Sequence, residues 1–107
     1  MHIGIVGGLD RNQPQLLELA RRAGHEVEFH TGVTGGRGFL TLGALVRRAD
    51  FVIVVMEVNS HGGVQLTRKL CAQHGKPSTV LRTCSQARLS QLLDAFATRT
   101  DAVRQAG

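Results

Sequence analysis

Three side chains stand where their chemistry would be of use: His30, His61 and Cys84 each close a strand-like run or open a helix-like one. Neutral imidazole ligates metals through a ring nitrogen and a thiolate does so through sulfur, so all three are candidate metal or cofactor ligands. The segment Glu57-Val58-Asn59-Ser60-His61-Gly62-Gly63 is the most informative. Ser60 is a good helix cap, and the glycines after it leave backbone N–H groups exposed at a positive helix end, where an anion fits. His61 would sit at the mouth of that site as hydrogen-bond donor or metal ligand. The plainer alternative is a capping serine followed by a solvated histidine. Cys84 precedes the last helix, with Arg82 and Arg88 nearby, and both a helix N-terminus and positive charge lower a thiol pKa. Cys84 is therefore a candidate reactive or metal-ligating thiolate, with plain core packing as its alternative, whereas Cys71 falls at a helical core position.

Other motifs exclude more than they identify. Gly7-Gly8-Leu9-Asp10 makes a tight turn, with Asp10 or Asn12 to cap the next helix, but it matches neither GxGxxG nor GxxxxGK[ST]. NAD or ATP binding is not expected, although Gly7, Gly8 and Arg11 remain candidates for contact with a phosphate or carboxylate. His30 occupies the place where a dinucleotide-binding fold carries an acidic residue for the ribose, which also argues against NAD. Of eight acidic residues only Asp10 and Glu57 belong near a ligand face, so no acid–base pair is evident. A closed zinc site wants more Cys and His at tighter spacing. His30, His61 and Cys84 could nevertheless give one or two axial ligands to a haem, with Arg11 or Arg37 near its propionates. His2, His25 and His74 lie at turns or the opposite end and are taken as surface residues.

The elements that must position these residues alternate. Apolar runs at His2–Val6, Glu26–His30, Phe51–Met56 and Ser78–Arg82 predict strands, and the third is apolar throughout, as a strand covered on both faces should be. Between and after them, Leu16, Leu19, Ala20 and Ala23, then Leu42, Leu45, Val46 and Ala49, recur at helical spacing. Gly63–His74 aligns Leu66 with Leu70 and Thr67 with Cys71, and Leu89, Leu92, Leu93 and Phe96 mark a fourth helix. Pro14 suits a first helical turn, and Gly24 and Gly75 suit left-handed stops. Right-handed crossovers then predict a small three-layer α/β domain, flavodoxin-like or half-Rossmann, with a four-stranded parallel sheet of order 2-1-3-4. One domain over residues 1–97 is expected, with a polar tail over 98–107. The one unusual loop, residues 32–38, holds four glycines.

With 107 residues and 42% hydrophobic content, the chain supports one core and no apolar run long enough to span a bilayer. Met1 leads straight into an apolar strand without a signal-like segment, and two cysteines without a CxxC suit a reducing compartment, so a cytoplasmic location without membrane insertion is expected. A net charge of +5 favours anionic partners. The basic residues are scattered and there is no Trp or Tyr to stack on bases, so nucleic acid is not the favoured partner. Open sheet edges and small size point to a homodimer.

Several segments in order, Ile3-Gly4-Ile5-Val6-Gly7-Gly8, Gly24-His25, His30-Thr31-Gly32, Ala49-Asp50-Phe51-Val52-Ile53, Asn59-Ser60-His61 and Gly75-Lys76-Pro77, resemble the bacterial family of domain of unknown function 2325. The likeness runs from about Met1 to Leu92, and its strongest element is the Ser60-His61 pair. Leu9 departs from the basic residue that many members carry after the paired glycines. The resemblance implies a small Rossmann-like domain without an established general activity, and haem binding through histidine or cysteine in part of the family. The leading expectation is a non-enzymatic module that holds haem or a comparable anionic cofactor at the strand ends. His61 would be its principal ligand and His30 or Cys84 its second. A thiol enzyme using Cys84 and a basic nucleic-acid accessory protein are the alternatives.

Overall fold

The computed structural model describes residues 1–8, 10–32, 35–57 and 61–95. Strands β1 (His2–Val6), β2 (Glu26–His30), β3 (Phe51–Val55) and β4 (Ser78–Leu81) form one parallel sheet in the order β2-β1-β3-β4. Helices α1 (Gln13–Arg22), α2 (Arg37–Arg48), α3 (His61–Gln73) and α4 (residues 86–95) complete an α/β domain compatible with a flavodoxin-like fold. Strands β3 and β4 each end one residue short of the expected bounds. Pairing nevertheless continues past them, since the N–H groups of Met56 and Glu57 donate to the carbonyls of Leu81 and Arg82. The expected Phe96 contact and the 98–107 tail lie outside the described residues.

Side-chain alternation along the strands divides the interior in two. Ile3, Ile5, Ile53, Val55 and Leu81 face Leu16 of α1 and Leu89 and Leu93 of α4. Val6, Val52 and Val54 face Leu42, Leu45 and Val46 of α2 and Leu70 and Cys71 of α3. Strand β3 supplies both layers, and Val52, Ile53, Val54 and Val55 are all fully buried. That double burial is the reason its sequence is apolar without alternation.

Helix ends follow backbone chemistry. At Gly24 and at Gly75, with φ of 84° and 64°, the chain turns left-handed. The N–H of each glycine and of the residue after it returns to carbonyls of the last turn: Gly24 to Arg21, His25 to Ala20, Gly75 to Ala72 and Lys76 to Cys71. The start of α1 differs from expectation. A 3-10 turn over Asp10–Asn12 leads into it, and Asn12 at the cap position makes no side-chain capping bond, with Pro14 supplying a preset φ in the first turn instead.

Gly4 sets how closely α2 approaches the sheet. A Cβ there would overlap Leu45 Cδ2, and Leu45 is itself buried against Val46 and Ala49 in the same layer. Gly4→Ala is expected to lower unfolding free energy by about 1–3 kcal/mol through overpacking, read as a lower denaturant midpoint at unchanged m-value.

Candidate functional site

The carboxyl ends of the strands meet where β1 lies between β2 and β3, the place in an open parallel sheet where ligands bind. Gly7 and Gly8 turn the chain there with φ of 91° and 93°, a region that favours glycine. Their N–H groups are already engaged: Gly7 donates to the His30 carbonyl and Gly8 to the Glu57 carbonyl, both at 2.8 Å. The pair therefore ties strand ends together and forms a wall of the site, and its peptide donors point at the protein's own backbone.

The two faces of the sheet differ at this edge. On the α1/α4 face, Gly7, Gly8, Phe29, Val55, Glu57 and Thr83 line a narrow recess that reaches down to Leu16 and Cys84. It adjoins a wider cleft of about 350 Å³ between the first turns of α1 and α4, lined by Asn12, Gln15, Thr83, Ser85, Gln86 and Ala87. Ser85 caps α4, its Oγ accepting from the Arg88 N–H at 3.1 Å. The Gln86 and Ala87 amides occupy first-turn positions that have no acceptor within the helix.

The α2/α3 face carries His30. Its Nδ1 accepts the Gly32 N–H at 3.0 Å, so the proton of the neutral ring belongs on Nε2, which lies 2.8 Å from Thr41 Oγ1. Thr41 in turn donates to the carbonyls of Arg37 and Gly38, each at 3.1 Å. Both nitrogens of His30 thus hold the start of the glycine loop against α2. His61 enters the description as the first residue of α3, while Ser60 and residues 33–34 of the loop lie outside it.

Of the expected ligands, His30 and Cys84 are consequently not brought together. His30 and the start of α3 lie on one side of the sheet, and Cys84 lies on the other, in the core beneath α1 and α4. Cys84 is 5% exposed, and burial pushes its thiol pKa up, opposite to the depression expected from the helix end and nearby arginines. Desolvation of the thiolate outweighs those charges, because Arg82 and Arg88 are exposed and hydrated. Among the described residues no group of three or more His, Cys, Asp or Glu side chains is arranged to hold a metal ion. Arg11 sits exposed on the 3-10 turn beside the cleft. Sequence reasoning missed Gln15 and Gln86, whose only signal was a polar amide in the first turn of a helix that starts at the ligand edge.

Comparison with known proteins bears out the family resemblance. A family model described as an uncharacterized protein conserved in bacteria, DUF2325, matches residues 2–96. Two curated proteins of Desulfitobacterium hafniense, each named UPF0751 protein and found in strains DCB-2 and Y51, are 33% identical over 70 residues, covering 64% of this chain and 69% of theirs. No solved structure matches. Among the described residues no helix is long and apolar enough to cross a membrane.

Burial of Cys84 carries its own test. In the folded protein Cys84 should react with iodoacetamide at pH 7 about tenfold or more slowly than a free model thiol, and catch up in denaturant. Peptide mapping of the alkylated sites would measure both rates.

Proposed function

We propose, for a chain that belongs to the DUF2325 family of uncharacterized bacterial proteins, that it is a non-enzymatic module binding a small anionic molecule at the carboxyl edge of its sheet. The cleft between α1 and α4 carries this reading. Its volume of about 350 Å³ falls within the usual range for small-molecule sites, and neutral donors from Asn12, Thr83 and Gln86 surround an apolar floor of Leu16 and Cys84. Two helices begin at its rim, each adding positive potential, and the net charge of +5 draws anions toward the molecule. A reducing, cytoplasmic setting suits its two free cysteines, Cys71 and Cys84. The open edges at β2 and β4 support a homodimer.

Haem held by His61 is the second reading. The exposed apolar residues Phe39 and Leu40 in the first turn of α2, and Met56 just after β3, stand at the same edge and favour a ligand with an apolar face. The other expected ligands do not fit a haem iron shared with His61. His30 would have to give up at least its bond from the Gly32 N–H, and Cys84 lies buried on the opposite face. Thiol catalysis by Cys84 meets the same burial, and nucleic-acid binding rests on net charge alone.

Separate calorimetric titrations with a nucleoside monophosphate, citrate and ferric haem distinguish the readings. The anion reading predicts saturable binding to one of the first two that weakens with salt. It also predicts a loss of roughly tenfold or more in Gln86→Glu, since that substitution suits the helix start but repels an anion in the cleft. Haem binding lost in His61→Ala and indifferent to Gln86→Glu would favour the second reading, and no saturable binding to any of the three would overturn both.

A further inference from the structure

The opposite edge of the sheet carries a charged cluster that the ligand site does not use. His2, expected as a surface residue, is only a quarter exposed, and both its ring nitrogens face carboxylates: Nε2 lies 2.9 Å from Glu28 Oε2 and Nδ1 lies 3.3 Å from Glu26 Oε2. An ionised carboxylate only accepts hydrogen bonds, so this geometry asks for a proton on each nitrogen. Arg48, at the end of α2, binds the same Glu28 through Nε and Nη2. Asp50, just before β3, accepts the His2 backbone N–H at 2.8 Å. On the remaining side the Met1 amine lies 2.9 Å from Nδ1 of His25, which leads into β2.

We propose that His2 is a proton-dependent tie between β1 and the edge strand β2. As an imidazolium it donates to Glu26 and Glu28 together, and on losing its proton it keeps one N–H and turns a lone pair toward the other carboxylate. Glu28 then retains Arg48, Glu26 is released, and the amino end of β2 loosens while the strand's carboxyl end stays tied through Gly7. The proposal is independent of what binds at the opposite edge. It concerns a group whose charge changes near neutral pH, the range in which histidine acts as a switch. Hydrogen bonding to Glu28 is the largest influence on His2 and raises its pKa above the ordinary 6.5, against a smaller opposing effect of burial. The Glu28 carboxyl is held low, chiefly by Arg48, and so stays ionised throughout that range.

The sign follows from the raised value. The tie contributes fully below pH 6.5, where His2 is protonated in folded and unfolded chains alike, and its contribution is lost as pH rises through the folded-state pKa. Carbon-detected NMR of the wild-type protein from pH 5.5 to 9 reads the His2 titration without any variant having to fold. His2 should titrate above 6.5, and its pKa should fall back toward that value in Glu28→Gln. Thermal midpoints of wild type and His2→Gln should differ at pH 6 and converge by the alkaline end of His2's titration, with exchange at β2 amides rising over the same interval after correction for intrinsic rates. Titration at or below 6.5, or a difference in midpoint that does not change with pH, would overturn the proposal.

Discussion

At the end of β1 two consecutive peptide N–H groups reach in opposite directions, Gly7 to the carbonyl of His30 and Gly8 to the carbonyl of Glu57. These bonds hold the ends of β2 and β3 to either side of β1, so the geometry of the whole ligand edge rests on them. Both residues have φ near +90°, which an L side chain rarely adopts. The glycines are thus required by backbone pairing at a branch point in the sheet, whatever ligand the edge accepts. The positions of the 3-10 turn, of α1 and of the cleft beside it all inherit that turn.

The architecture was legible because its signals are local and repeated. Four apolar runs separated by helical stripes lead directly to the observed strand order, and the unalternating Phe51–Val55 marks the strand buried on both faces. Gly24 and Gly75 announced their helix ends for a reason visible in a single residue type. The cap of α1 was not legible, since Asn12 has the right chemistry for capping and does not use it. Nothing in one residue's identity reveals that a preceding 3-10 turn already sets its backbone.

The site was legible only by edge. Listing residues at strand ends placed Gly7, Gly8, His30 and Cys84 beside the carboxyl edge, but it could not say which side of the sheet each would occupy. Strand parity decides that. Val27 and Phe29 pack toward α1, which sends His30 to the α2 side, while Cys84 joins the layer of Leu81 and Leu89. Cys84 also shows why helix ends and arginines are insufficient guides to thiol chemistry: the charges are hydrated and the sulfur is not. The bonds of His2 to Glu26 and Glu28 are invisible in sequence because they join residues 24 and 26 positions apart.

The sheet is also a partition. Because β1 and β3 are packed on both faces, the α1/α4 layer of the core and the α2/α3 layer have no buried side chain in common among the described residues, and the strand backbone is what they share. A mutational drift that repacks one layer leaves the side chains of the other in place. A fixture such as the His30–Thr41 latch on one layer is thereby insulated from substitutions in the other, so the two sides of this small domain can change independently of each other.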